Sequence, residues 1–498
     1  MHIKTLLKRI PKNFWLLAGA LTIVRLIIIF FLPITPQEAY YWYYSQNPAL
    51  SYFDHPPMTA WSIWLGSALF GSNTFGVKFM AVFYGLLTNI LLFITIRRAQ
   101  ELSENKDETL PWKGVILYNL TVFSHMYSVL MVPDNPLIFF WLLSLYFVLE
   151  VFISGSKRYW LYGGIALGAA LLSKYTAVAL LPAFFIILLI SPKERRWFKS
   201  PFPYLAIIVA ALVFYPVVLW NIQHDWASFA FQFSHRAEEA RPFTLNYLGQ
   251  LAGSQLGLLT PLIFGLFFYL SYKMLRFRHI DFPVKYLYLS GFFIIGGFVF
   301  ISLKSLVKIN WLLPGYMGWI AAAVLLFPQK IDFKKGLYKY LGAFSIFLII
   351  IVYLMPFIPN LPIGEGNTWS GWKDASQKIY EIQQEFGGRK NCFIFANSYK
   401  SASLLKFYLP DQQDTYAQNI YGQPALQFDI WETPDSLKGK DALYIFTDRR
   451  EYKDDLQYVK KCFKDVELLK TFNYKFMDKT AVRTIYCYLA KDYAGIQK

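Results

Sequence analysis

The sequence predicts an α-helical polytopic membrane protein of about eleven transmembrane helices, followed by a small α/β domain outside the membrane. Composition is the first ground. Of 498 residues, 55% are apolar, 19% aromatic and only 16% charged, with a mean hydropathy of +0.33, against about 25% charged in an average globular chain. Soluble cores cannot hide that much apolar surface, and the same balance excludes disorder, collagen and a small disulfide scaffold. The second ground is a series of long apolar runs. The third is where the charge sits. The net charge of +17 would suit nucleic acid, but residues 1–356 carry 29 Lys+Arg against 14 Asp+Glu, whereas residues 357–498 carry 20 against 18. The excess lies between apolar runs, as in cytoplasmic loops, and argues against a nucleic-acid partner.

Taken in order, the runs lie near residues 14–32, 74–96, 112–131, 135–153, 202–222, 247–272, 286–303, 309–327 and 337–356. A hydrocarbon layer of about 30 Å takes about 20 helical residues to cross. The first run lacks a small-residue cleavage site and reads as a retained span rather than a secretory signal. The stretch 159–190 is too long for one span and breaks at Ser173-Lys174, so it reads as a hairpin of two short spans. Basic clusters test that reading. Lys4, Lys8, Arg9 and Lys12 place the N-terminus in the cytoplasm, and Arg97, Arg98, Lys106 and Lys113 mark the next inner loop. Lys157-Arg158 and then Lys193, Arg195, Arg196 and Lys199 fall on one side, which demands an even number of crossings between them. The hairpin supplies two. The result is eleven spans with the N-terminus inside and the C-terminus outside.

Domain boundaries follow. Residues 1–356 form the membrane domain with a long aromatic first outer loop at 33–73, and residues 357–498 form the extracytoplasmic domain. In the latter, strand-like runs (Cys392–Ala396, Ala442–Thr447, Val466–Phe472, Thr484–Ala490) alternate with helix-like runs (Trp372–Phe386, Ser398–Tyr408), the pattern of a small α/β domain. Cys392, Cys462 and Cys487 all fall there. An odd count with no CxxC and no nearby His argues against a metal site, so they read as structural thiols, with one pair able to oxidise outside the cytoplasm.

The chemistry is expected in the first outer loop. Pro36 suits the first turn of a helix that carries Glu38 and a run of Tyr and Trp, side chains that favour the membrane interface. Asp54-His55-Pro56-Pro57 closes the connection before a second helix at Met58–Phe70. Two carboxylates so held suit general-base work on a polar acceptor meeting a lipid-borne donor; helix capping by Glu38 and a turn made by Asp54 are the alternative. The outer turn Pro133-Asp134-Asn135-Pro136 adds Asp134, on the same face of the membrane, or else a cap for the next helix. Outer cations able to hold a phosphate are Lys174, Lys304, Lys308 and the pair His235-Arg236. Snorkelling to lipid headgroups is their alternative. Arg25, within the first span, is expected to pair inside the bundle.

Gln37-Glu38-Ala39-Tyr40-Tyr41-Trp42, followed by Tyr52-Phe53-Asp54-His55-Pro56-Pro57, resembles the dolichyl-phosphate-mannose-protein mannosyltransferase superfamily. It is most similar to the bacterial branch that includes the aminoarabinose lipid A transferases. Pro133-Asp134-Asn135-Pro136, Ser173-Lys174-Tyr175-Thr176, Trp220-Asn221 through Asp225-Trp226 and Asn310-Trp311 through Pro314 extend the resemblance over about residues 20–330. It implies the type C glycosyltransferase fold, an outward active site and a polyprenyl-phosphate sugar as donor. Glu38 matches the second acid of the family's Asp-Glu pair, Asp54 the acid before the double proline, and Asp134 the second-loop acid. His55 stands where the lipid A enzymes have Lys. The family's first acid, usually the base, is Gln37 here, and an amide cannot take a proton at neutral pH.

The resulting expectation is an inverting transfer of sugar to an envelope acceptor (lipid A, a glycan or a protein) at the outer face of a bacterial inner membrane. Asp54 is the first choice of base, then Asp134, with Glu38 as the third carboxylate. The donor phosphate lies among His55, Lys174, Arg236 and Lys304. No cofactor is expected: cationic side chains meet the phosphate without a divalent metal, although one is compatible with the layout. A lipid-linked glycan flippase would not need the acidic loop and should show inverted halves. A glycan polymerase would lack these motifs, and a non-catalytic member is the reading that Gln37 invites.

Overall fold

The computed structural model describes residues 10–238, 242–276, 279–333, 335–358, 360–361, 369–431, 433–447, 455–477 and 480–496. By internal contacts the chain forms two units. The first comprises Met1–Phe30, His55–Ser62 and Lys78–Tyr353; the second comprises Phe31–Asp54, Ile63–Val77 and Leu354–Lys498. The contact pattern thus draws most of the first outer loop into the C-terminal unit.

The helices through residue 354 are α1 (Lys12–Phe31), α2 (Pro36–Gln46), α3 (Met58–Phe70), α4 (Thr74–Ala99), α5 (Leu110–Asn119), α6 (Val122–Met126), α7 (Asp134–Ser154), α8 (Arg158–Ser173), α9 (Leu180–Ile190), α10 (Phe202–Gln223), α11 (Ala227–Glu238), α12 (Asn246–Arg276), α13 (Phe282–Ile301), α14 (Leu313–Leu326) and α15 (Gly336–Leu354). Each apolar run of the sequence is helical over most of its length. Among the described residues seven helices are long and apolar enough to cross a membrane, while the 58–70, 175–190 and 313–326 helices are apolar but shorter. The expected hairpin divides where Lys174 takes extended backbone (φ −163°, ψ 136°) at the end of α8. Exposed Leu16, Phe30, Leu212, Phe300 and Tyr340 leave the broad apolar outer surface that lipid covers.

The third run differs from a plain span: it breaks between α5 and α6. Thr121 caps α6 by accepting from Ser124 N. Arg25, buried, donates from Nη2 to Asn119 Oδ1 (3.3 Å) and to the Ser124 carbonyl (3.4 Å). His125 bridges the Asn119 carbonyl (2.8 Å) and the Tyr353 hydroxyl (2.9 Å). Arg25 therefore does pair inside the bundle, but with neutral acceptors, and serves backbone groups that the helix break leaves open.

The C-terminal segment adds α16 (Trp372–Glu385), β1 (Cys392–Ala396), α17 (Tyr399–Tyr408), α18 (Gln427–Ile430), β2 (Asp441–Thr447), α19 (Leu456–Cys462), β3 (Phe463–Phe476) and β4 (Thr480–Tyr493). The sheet order is β1-β2-β4-β3, with β1 parallel to β2 and the other pairings antiparallel. Its core stacks Phe395 on Phe463 (5.5 Å) and on Tyr444 (4.8 Å). All three cysteines are buried free thiols. Burial pushes those of Cys392 and Cys487 up to about 12, so neither is a reactive thiolate at neutral pH.

Candidate active site

The first outer loop begins with a capping box. Thr35 is extended (φ −82°, ψ 158°) and Pro36 opens α2. Thr35 Oγ1 accepts from Glu38 N (3.3 Å), while Glu38 Oε2 accepts from Thr35 N (3.0 Å) and Thr35 Oγ1 (2.9 Å). Glu38 is wholly buried and spends one oxygen holding its own helix. Because Gln serves that box as well as Glu, Glu38→Gln should keep turnover within about threefold of wild type. A loss of orders of magnitude in a lipid-phosphate release assay would instead make Glu38 the base.

The aromatic run behaves differently from interfacial anchors. Tyr40, Tyr41, Trp42, Tyr43 and Tyr44 are all buried, because the C-terminal segment covers them within the second unit. Tyr40 meets Tyr399 (4.6 Å), Trp42 meets Phe407 edge-on (5.0 Å), and Tyr43 meets Trp431 (4.7 Å). The Lys406 ammonium lies 4.5 Å from the Tyr43 ring centre. Polar ends are matched too: Tyr43 donates to the Thr415 carbonyl (3.1 Å), and Ile34 N donates to the Tyr408 hydroxyl (3.3 Å). A ring with one polar handle suits a protein interior as well as a headgroup layer.

These tyrosines aim Asp54. Its Oδ1 accepts from the Tyr44 hydroxyl and, at 3.4 Å, from that of Tyr40. Tyr44 stacks on Tyr52 (4.1 Å between centroids), whose hydroxyl donates to the Tyr44 carbonyl (3.0 Å). Burial first, and the Asp54 charge second, push both the Tyr40 and Tyr44 hydroxyls well above the ordinary phenol range. They stay protonated and donate throughout the physiological range. Asp54 itself is half-exposed.

Sequence reasoning missed Gln427. Its side-chain oxygen accepts from Phe53 N (2.7 Å), and its backbone N donates to the Tyr40 hydroxyl (3.2 Å). One buried residue thus holds both the backbone before Asp54 and a phenol that binds the Asp54 carboxylate. No local pattern marks it, since Phe53 and Gln427 are 374 positions apart. Gln427→Ala should lower kcat about tenfold, as a displaced reacting group does, with Gln427→Glu, which keeps the acceptor oxygen, restoring much of it. An unchanged kcat in Gln427→Ala would remove Gln427 from the site.

The first unit holds a second constellation. Asp134 starts α7 but makes no side-chain cap. Its Oδ1 accepts from Lys174 Nζ (2.9 Å) and its Oδ2 from Asn310 Nδ2 (2.6 Å). Asp134 is 1% exposed and Lys174 7%, so this pair is screened little by water. Asn135 makes the turn instead, accepting from Val132 N (2.8 Å) and donating to the Tyr127 carbonyl. The acid and the cation expected to act separately are therefore one ion pair. Lys304 is exposed in the turn after α13, and His55 is half-buried. The side chains of His235 and Arg236 lie outside the described residues.

The model of the family described as dolichyl-phosphate-mannose-protein mannosyltransferase matches residues 54–220. A lipid A galacturonosyltransferase of Rhizobium johnstonii is 27% identical over 335 residues, covering 66% of this chain and 67% of that protein. An undecaprenyl phosphate-α-4-amino-4-deoxy-L-arabinose arabinosyl transferase of Pseudomonas paraeruginosa is 31% identical over 182 residues, 34% of this chain but only 31% of its own length. The crystal structure of apo ArnT from Cupriavidus metallidurans superposes with a TM-score of 0.66 at 14% identity, covering 95% of this chain and 98% of that one. The same protein bound to undecaprenyl phosphate gives 0.64 at 13% identity, covering 96% and 98%. Those likenesses establish the fold.

Proposed function

We propose that the chain is a bacterial, ArnT-related member of the dolichyl-phosphate-mannose-protein mannosyltransferase superfamily and moves a sugar from undecaprenyl phosphate or a similar polyprenyl phosphate onto a lipid A-type acceptor. The enzyme class is glycosyltransferase, and the seat is a bacterial inner membrane with the reaction on its outer face. The observation that carries the mechanism is how the three carboxylates are employed. Glu38 holds its helix, and Asp134 holds Lys174 and Asn310. Asp54 is the half-exposed carboxylate, aimed by phenols.

In this mechanism Asp54 takes the proton of an acceptor hydroxyl. The hydroxyl oxygen bonds to the anomeric carbon from the face opposite the phosphate, and the bond from that carbon to the phosphate oxygen breaks. Polyprenyl phosphate leaves as an anion, and a single displacement inverts the sugar. The departing phosphate charge is the task for which the sequence offers the cations His55, Lys174, Arg236 and Lys304. No divalent metal is required by this scheme. Gln37, at the family's first acidic position, is half-buried, and its side chain makes no hydrogen bond among the described residues. Its amide is available to both donors and acceptors on the sugar or acceptor.

The test is release of undecaprenyl phosphate by the purified protein from a panel of undecaprenyl-phosphate sugars, uronic and amino sugars included, with lipid A as acceptor. Turnover should need both substrates and persist in EDTA. Turnover abolished by EDTA and restored by a divalent ion would replace the cationic scheme with a metal one. A folded protein inert towards every donor, with crude envelope material supplied as acceptor, would sink the transferase reading.

A further inference from the structure

The first unit contains an apolar cleft of about 350 Å³ between α8, α9 and α10. Trp160, Gly163, Leu167, Phe184, Leu188 and Ala206 are among its walls, and every lining side chain is apolar or aromatic. The cleft has a sequence cause. Gly164 and Gly168 bring α8 hard against α10: a Cβ at Gly164 would clash with the Ala206 carbonyl, and one at Gly168 with Val213. Helix α9 starts only after the 3₁₀ turn Tyr175–Ala179 and flanks the joined pair. Exposed Phe185 and Ile207 belong to its walls, so lipid rather than solvent borders it.

One end of this cleft is strongly basic. Its walls run along α9 and reach Trp160 and Pro203 in the first turns of α8 and α10 and Phe198 in the 3₁₀ turn Glu194–Lys199, the end at which Lys157-Arg158 also lie. Residues 157–158 and 193–199 carry six cations and one acid. That acid, Glu194, is buried, accepts from Trp197 Nε1 (3.0 Å) and lies within ion-pair distance of Arg196 (3.7 Å) and Lys193 (3.8 Å), which leaves the cluster with a large positive excess. Lys157 rests 5.3 Å from the ring centre of Phe202, and Arg196 rests 5.5 Å from that of Trp197, each beside a residue of the cleft wall. Arg195 donates its Nε to the Leu189 carbonyl (2.7 Å), leaving its Nη groups without a partner among the described residues. Lys199 has none there either. The N-termini of α8 and α10 add positive dipole at the same end.

We propose that this cleft is a binding site for an anionic phospholipid, one acyl chain lying along the apolar walls and the headgroup phosphate met by Lys157, Arg195, Arg196 and Lys199. Charge complementarity selects the occupant: a zwitterionic lipid offers the same phosphate but brings its own ammonium among the cations, whereas a net-anionic headgroup does not. By the charge pattern this is the inner end of the bundle, so the site serves the structural membrane lipid rather than the sugar donor on the outer face.

The full-length protein, reconstituted in vesicles of equal parts phosphatidylglycerol and phosphatidylethanolamine, would be extracted and its retained lipid counted by native mass spectrometry. One phosphatidylglycerol should be retained in clear excess over phosphatidylethanolamine. The exposed triple variant Arg195→Gln/Arg196→Gln/Lys199→Gln should cut that preference by about tenfold or more, since three surface cations that attract anionic lipid are removed together. Gly163→Leu, which fills the cleft from α8, should lower retention of both lipids. Retention of the two lipids in their bulk ratio by the wild type would overturn the proposal, as would a preference unmoved by the triple variant. Displacement of phosphatidylglycerol by equimolar undecaprenyl phosphate would reassign the cleft to the donor tail.

Discussion

Asp54→Asn should abolish polyprenyl phosphate release, lowering kcat by about 10²–10⁴-fold with little change in donor KM, the usual yield of a positioned general base. The substitution is nearly isosteric, and an amide still accepts from the Tyr44 and Tyr40 hydroxyls, so folding should survive. What disappears is the capacity to take a proton. Tyr44→Phe provides the companion measurement: it leaves the carboxylate in place but removes the nearer of two donors that aim it. Its loss should be about tenfold, as expected of a misplaced group. Should Asp54→Asn retain wild-type kcat, the base lies elsewhere or the acceptor reacts as a preformed anion.

The second large effect concerns stability. Asp134→Asn strands the Lys174 ammonium in a site where it is 7% exposed, and removing one partner of a buried pair costs about 3–5 kcal/mol. Thermal unfolding in detergent, followed by tryptophan fluorescence, should show this as a marked drop in transition temperature. Lys174→Met alone should destabilise similarly by stranding Asp134. Combining the two should recover most of the loss, because neither charge is then left unpaired. Activity is expected to follow another rule. If Lys174 meets the donor phosphate, the stable double variant stays inactive; a stable and active double variant would reduce the pair to scaffolding.

Much of this molecule is legible in its sequence, for identifiable reasons. Length and hydropathy mark the long membrane-domain helices, since lipid imposes one solution on the backbone, but not α11, which is too polar to stand out, nor the break between α5 and α6. In the C-terminal segment Cys392–Ala396 is a strand over the expected residues, and β3 extends well beyond the expected Val466–Phe472. A long hairpin is sustained by its partner strand rather than by its own apolar content. Thr35-Pro36-Gln37-Glu38 carries a visible capping pattern, so the employment of Glu38 was readable from four residues. Asp134 and Lys174 were each readable, but not as a pair, because their union depends on where Asn310 and two helix ends meet. Gln427 left no trace. A hydrogen bond to a backbone N–H from a distant turn has no periodicity to detect. The aromatic run misleads for a chemical reason: amphipathic rings serve lipid and protein surroundings alike.

The grouping of residues 31–54 and 63–77 with 354–498 changes what would count as an exchangeable part. A chimaera spliced at a single point near residue 356 would keep Tyr40, Trp42 and Tyr43 from one parent and receive Tyr399, Phe407 and Trp431 from the other. The rings on each side would then have been selected for different mates. Recombination that respects this molecule must carry three stretches of chain together. Inheritance in relatives should obey the same bookkeeping: substitutions in the first outer loop should be accompanied by changes hundreds of positions downstream, and the membrane helices between should drift independently of both.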